Sequence, residues 1–299
     1  MNALTSLPMG RWPEAMERGR LDDAAFAAAY ARATDRQRAW IKTGLAAMFA
    51  AMGGPMPASR QRCDALGHDL LLVVRDVPLD YVLLACGRDF LSPARLSAVA
   101  TAALCARVPD VAAVRVGAAW PRPLLAALEL CGLETAARTS RRDFAGLLTE
   151  LPAKGRGAVV VLGDLPLPSG LPTSLDVRRA AVAGKAGVFG SGFDAEALSF
   201  AHPDCTFFCH EAPCPELPGW QAGQGSLSQA EQAGYDAVYV APSDATTLAG
   251  DAPLCLGPGR EGFWLWPHLP PEAFRRQRHA AVVDPRRAAV EPTPGPEDA

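Results

Sequence analysis

The sequence predicts an α/β protein: a doubly wound parallel sheet, with N-terminal helices before it and a second, shortened α/β block after it. Three observations predict this. Short Val- and Leu-rich runs of strand length recur between residues 69 and 164. Each is followed by a segment with helical apolar spacing, the order that parallel crossovers require. Before residue 53 and after residue 179 the pattern differs, so the chain divides into 1–66 (helical), 67–178 (a Rossmann-like α/β domain), 179–283 (a truncated α/β block) and 284–299 (a proline-rich, polar tail read as disordered).

The N-terminal helices come first. "DDAAFAAAYARA" and "DRQRAWIKTGLAAMFAAM" place apolar residues at helical spacing. In the second, Trp40, Ile41, Leu45, Met48, Phe49 and Met52 share a face, Thr34 or Asp35 caps the start, and Gly53-Gly54-Pro55 ends it. That face is read as part of a homodimer interface; the competing reading is that it covers the chain's own core. The next block runs through "DLLLVVRDV" and "DYVLLAC", both read as buried strands. "SPARLSAVATAALCARV" follows as a helix with Ser92 as cap and Pro93 at its first position. "VAAVRVG" is a strand, "RPLLAALELCG" a helix closed by Gly132, "ETAART" a short strand, "RRDFAGLLTEL" a helix and "GAVVVLGD" a strand. In the last block "SLDVRRAAVAG" reads as helix, "AGVFGSG" as strand and turn, "DCTFFCH" and "YDAVYVAP" as strands, and "EAPCPELPGWQAGQGSLSQ" as loop.

Composition narrows the partners. Of 299 residues 49% are hydrophobic and 20% charged, values typical of a soluble globular protein. A net charge of −3 supplies no field for nucleic acid or an anionic membrane. No apolar run has membrane-spanning length, and the first residues lack a signal-peptide core, so a cytoplasmic location with reduced thiols is expected. Five of the eight cysteines (Cys63, Cys86, Cys105, Cys131, Cys255) read as small core residues.

In an open parallel sheet, ligands bind beyond the carboxyl ends of the strands. Here those ends carry Gly87, Arg88, Ser140 and Arg141, the candidate cofactor-binding residues for a small-molecule ligand. The turn "ACGRDFLSP" offers one glycine and a helix start able to present free amides to an anion. The full G-x-G-x-x-G fingerprint is absent, so the competing reading is a plain turn in which Gly87 serves the backbone. The glycines of "AGKAGVFGSGFDAEALSF" end in no Gly-Lys-Ser/Thr triplet, and Asp194 at a helix start would repel phosphate. "HPDCTFFCHEAPC" gathers thiols and imidazoles, which are zinc ligands. His202 and Cys205 are its metal candidates, although its spacings match no zinc knuckle. Cys209, His210 and Glu211 are the catalytic candidates, with a thiolate as nucleophile. Adjacent Cys209 and His210 would face opposite sides of a strand, which weighs against their pairing directly.

From about residue 75 onward the layout resembles histidinol dehydrogenase and, more distantly, the aldehyde dehydrogenase-like superfamily. The resemblance lies in "RDVPLDYVLLACGRDFLSPARLSAVATAALCARVPDVAAVRVG", "PLLAALELCGLETAART", "KAGVFGSGFDAEALSFAHPD" and "AGYDAVYVAPSDATTLAGD". It implies NAD as cofactor, a homodimer and a zinc site, of whose ligands only Asp251 in "AGD" stands where the family places one. The family's Gln-Ala-Glu-His helix and its catalytic Glu-His pair are not found. The resulting expectation is a degenerate relative that binds a nucleotide or small metabolite without the zinc-dependent chemistry. The alternative is an active NAD-dependent oxidoreductase or acyl-transfer enzyme rebuilt around Cys209, His210 and Glu211.

Overall fold

A computed structural model describes residues 11–66, 70–210, 213–227, 234–244 and 254–283. The expected tail lies outside these residues, as do Glu211 and Asp251. Three helices open the described chain: α1 (Glu14–Glu17), α2 (Asp23–Arg32) and α3 (Asp35–Ala51). Asp22 caps α2 by accepting from Ala25 N–H. Thr34 caps α3, and Gln37 returns a hydrogen bond to the Thr34 backbone, a reciprocal capping box.

The strands β1 (Arg60–Ala65) and β2 (Leu70–Pro78) then form a hairpin-like antiparallel pair. The doubly wound unit follows. It comprises β3 (Tyr81–Cys86), α4 (Pro93–Cys105), β4 (Asp110–Val116), α5 (Arg122–Leu130), β5 (Ala136–Thr139), α6 (Arg141–Glu150), β6 (Gly157–Leu162) and β7 (Asp176–Ala180). Its sheet is parallel, in the order β5-β4-β3-β6-β7. Both faces are covered. Leu96, Val99 and Leu124 of α4 and α5 pack on one, and Trp12, Met16, Phe144 and Leu147, from the N-terminal segment and α6, pack on the other. Burial on both sides is why β3 and β6 are apolar at nearly every position.

The second unit comprises β8 (Lys185–Phe189), α7 (Ala195–Ala201), β9 (Thr206–His210), β10 (Trp220–Ala222), β11 (Ala237–Tyr239) and β12 (Cys255–Leu256). It too is parallel, in the order β10-β9-β8-β11-β12. Asp236 joins its strands by accepting from the amides of Ala183, Gly184 and Lys185. Finally β13 (Arg275–Val283) returns to pair antiparallel with β2, completing a β1-β2-β13 sheet with much of both faces in solvent. The α/β class, the doubly wound arrangement, the N-terminal helices and the second α/β block are those expected.

Three local expectations are corrected. "SLDVRRAAVAG" is not helical: residues 176–180 pair with β6 from Ala158↔Asp176 to Leu162↔Ala180. The Ala/Arg composition favours helix, but the unpaired edge of β6 wins, since strand preference follows context. "DLLLVVRDV" is a strand, but antiparallel and largely half-exposed. Cys63, read as core, is exposed on β1. Part of the apolar face of α3 packs within the chain. Ile41 and Met48 are buried within the chain, and Gly44 lies so close to the 259–263 loop that an added Cβ would be 2.2 Å from Gly262 O. That helix packs on α4 and α7, while Phe49 on the same face stays exposed.

Candidate functional site

The strand order reverses between β3 and β6, and the crevice beyond their ends is where a parallel sheet offers a ligand site. Here a protein carboxylate, that of the exposed Asp89, lies at its mouth. Asp89 Oδ2 accepts from Asp164 N–H at 2.8 Å. A Cβ at Gly87 or Gly163 would lie 2.8 Å from Asp89 Oδ1, and Gly163 also needs its left-handed φ of +79°. These glycines make room for Asp89. The loop is held from below by Arg115, fully buried in β4, whose guanidinium donates to Phe90 O at 2.6 Å and Arg88 O at 2.8 Å. Burial lowers the Arg115 pKa from its ordinary value.

Of the expected cofactor residues, Gly87 lines this crevice, while Arg88 and Arg141 are exposed and form no ion pair among the described residues. The Ser140 hydroxyl is spent on its own helix: it accepts from Asp143 N–H at 3.1 Å and donates to Asp143 Oδ2 at 2.6 Å. The start of α4 is likewise occupied. Leu91 N–H donates to Asp204 Oδ2 at 3.0 Å, and Asp204 forms an ion pair with the buried Arg95. A dinucleotide pyrophosphate at this crevice would find the amides of Leu91 and Arg95 already taken and the Asp89 carboxylate beside it.

Asp204 belongs to the second unit, so this contact is part of a buried polar seam between the two sheets. Ser92 Oγ lies 2.7 Å from Ala201 O and 3.1 Å from His202 Nδ1. A carbonyl only accepts, so the hydroxyl proton goes to Ala201 O. His202 Nδ1–H then donates to Ser92 Oγ, which also accepts from Arg95 N–H at 3.1 Å. His202 Nε2 is left a buried, unpartnered lone pair beside the Trp264 ring, 5.1 Å away between centroids. Burial holds the His202 pKa well below 6.5, and Arg95 adds to the shift.

A pH dependence follows from His202. The unfolded chain takes up its proton near pH 6.5 while the folded chain does not, so stability falls as pH drops below 6.5. The slope reaches at most about 1.4 kcal/mol per pH unit and ends at the folded-state pKa. Urea midpoints at pH 7.5 and 5.5 should differ in this sense, and less so for His202→Gln. Equal differences for the two proteins would remove His202 as the cause.

The expected catalytic pair is separated. Cys209 and His210 alternate on β9, and Cys209 is buried. Burial raises its pKa, and the neighbouring Cys214 thiol raises it further, which disfavours the thiolate a nucleophile needs. Both His210 nitrogens are engaged, Nδ1 with Gly225 O at 3.1 Å and Nε2 with Tyr235 OH at 3.0 Å. The His210 ring stacks on Phe189 with centroids 4.2 Å apart.

Zinc does not fit the described residues either. His202 Nδ1 is committed to Ser92, and Cys205 donates to Thr206 O with its pKa pushed up to about 12, chiefly by burial. Among the described residues no three His, Cys, Asp or Glu side chains are grouped to hold a metal.

The strand ends of the second sheet offer more room. A cavity of about 300 Å³ lies between α3, the glycine turn after β8 and the 259–263 loop. Trp40, Gly192, Asp194, Arg260 and Glu261 line it. Glu261 is buried, and its Oε1 accepts from Gly259 N–H at 3.1 Å and Asp194 N–H at 3.2 Å. Arg36 pairs with Asp194 at 2.8 Å and Glu196 at 2.6 Å, fixing the helix start. Sequence reasoning missed Ser92 as a seam residue, together with Arg95, Asp204 and Glu261. One local signal was present, Arg115 inside an otherwise apolar strand, because a charge there must find carbonyls.

No protein-family model matches the sequence. No curated protein matches it either. Solved structures do. Histidinol dehydrogenase from Elizabethkingia anophelis superposes with a TM-score of 0.55 at 10% identity, over 89% of this chain and 77% of that one. Succinate-semialdehyde dehydrogenase from Burkholderia pseudomallei and an NAD-dependent benzaldehyde dehydrogenase from Corynebacterium glutamicum each give 0.47 at 10% identity, over 90% of this chain and 89% of theirs. At such identities the likeness is one of fold, and the chain has a dehydrogenase-like α/β fold.

Proposed function

We propose that this chain is a small-metabolite-binding protein on a dehydrogenase fold, without zinc-dependent dehydrogenase chemistry. The observation that carries this reading is the closed seam. Asp89 takes the Asp164 amide at the mouth of the first sheet's crevice, and Asp204 and Ser92 take the amides at the start of α4. Alcohol oxidation needs a base within reach of the substrate and a hydride acceptor held close. His202 and His210 are both bound into the protein's own hydrogen bonds. The cavity beside Trp40 and Glu261 is the favoured ligand position, since its size suits a small metabolite. The alternative, a rebuilt site around Cys209, His210 and Glu211, has less support because Cys209 is held as a thiol.

The test is NADH formation followed by absorbance, with histidinol, NAD and zinc added to the purified protein. The expected rate equals that of the Cys209→Ala/His210→Ala double variant. A rate clearly above that variant's would overturn the reading.

A further inference from the structure

The amino ends of the strands, at the far end from the crevice, carry a concentration of arginine that neither the seam nor the fold explains. Where β13 leaves the first unit, its register is Arg276↔Val77 and Arg278↔Arg75. Alternation therefore sets Arg75, Arg276 and Arg278 on one face of the β1-β2-β13 sheet. Arg107, just past the end of α4, faces them across a cavity of about 350 Å³ whose floor includes Val77, Leu79 and Pro109. An adjoining recess of about 510 Å³ shares Arg276 and Arg278 and adds Arg156 and Arg178.

Part of this charge is neutralised within the protein. Arg178 pairs with Asp176, and Arg276 Nη2 reaches Asp80 at 3.2 Å. Arg75, Arg156 and Arg278 have no side-chain partner among the described residues. Two costs meet at the same place. Arg75 and Arg278 are like charges directly opposite each other, an unfavourable cross-strand pair. Arg276 Nε is buried without a hydrogen-bond partner.

Ordinary explanations cover part of this. The φ of +60° at Arg107 belongs to a Schellman turn that closes α4, with Arg107 N–H on Leu104 O and Val108 N–H on Ala103 O, and Arg107 Nε donates to Met56 O at 2.7 Å. Charged residues protect sheet edges from unwanted pairing, yet β2, which carries Arg75, is the central strand of its sheet. The protein's net charge of −3 makes a chance excess of arginine here a poor account. Unpaired charge and an unpartnered buried donor that converge on one cavity point to an anionic ligand that relieves them.

We propose that this hollow binds an organic di- or polyphosphate. Guanidinium forks match phosphate oxygens in pairs, and two recesses bridged by Arg276 and Arg278 suit at least two anionic groups. The floor of Val77, Leu79 and Pro109 suits the organic part. The site begins at Asp80 and Arg156, immediately before β3 and β6, so it is separate from the strand-end cavity and does not depend on the function proposed above.

The test is calorimetric titration of the full chain at near-physiological salt with ATP, inorganic pyrophosphate and inorganic phosphate. ATP and pyrophosphate should bind saturably and more tightly than phosphate. In Arg75→Gln/Arg278→Gln both affinities should fall by about tenfold or more, while the unliganded protein's melting temperature holds or rises because the like-charge pair is gone. Arg278→Lys, which keeps the charge and loses the fork, should show an intermediate loss and covers the case in which the double variant misfolds. Absence of saturable binding by ATP and pyrophosphate overturns the proposal, and so does undiminished binding by both variants. Binding only to vesicles of an anionic phospholipid, with no response to soluble pyrophosphate, also overturns it.

Discussion

Replacing Met48 with glutamate should destabilise the folded chain by about 4 kcal/mol or more, independently of protein concentration. Met48 has no exposed surface and packs in the main core cluster, reached from α3. A carboxylate there loses its water and finds no designed partner, the costliest class of single substitution. Met48→Ala keeps the site apolar and leaves a cavity, which typically costs about 2–5 kcal/mol. Urea denaturation at two protein concentrations distinguishes a core residue from an interface residue. A midpoint close to wild type, or a loss seen only at low concentration, would place the α3 face in an assembly after all.

Asp204→Ala should cost about 3–5 kcal/mol, the usual penalty when one partner of a buried ion pair is removed. It strands the Arg95 guanidinium, whose side chain is 3% exposed, and frees the Leu91 amide at the start of α4. Asp204→Asn retains acceptor oxygen and should cost less. Replacing the pair with apolar residues, Arg95→Met with Asp204→Leu, should recover much of the loss, because no charge is then left unpaired. Equilibrium unfolding of the four proteins tests this order; an alanine variant as stable as wild type would mean that the seam contributes nothing.

Much of the fold was legible because its strands answer to local rules. β3, β4 and β6 are buried on both faces, and that burial demands the continuous Val/Leu/Ala runs seen in the sequence. Ser92 and Thr34 were readable as caps for the same reason: a helix start needs an acceptor within a few residues. β1, with "RQRCDA", carries no strand signal because both its faces lie in solvent. β13 opens with five polar residues and gains its place by pairing with β2. The candidate site was less legible. His202 was noticed as a metal candidate, while its hydrogen-bond partner Ser92 lies 110 residues away in sequence. Nothing local links Asp204 to Leu91 or Arg95. Arg75 and Arg278 become neighbours only through the register of two distant strands.

The return of β13 to β2 also has a kinetic side. Asp76 and Arg275 meet across 199 residues, through a hydrogen bond from Arg275 Nε to Asp76 Oδ2 at 2.8 Å. The whole second unit is thus an excursion between two strands of one sheet. Loop closure over such a span costs entropy before any contact is gained, and long-range pairing slows folding. During synthesis β2 is without its β13 partner until nearly all of the described chain has been made. Its apolar residues 70–74 are exposed to wrong partners throughout that interval. The vulnerable species in this protein is therefore the nascent chain, and slower translation of the second unit would lengthen its exposure.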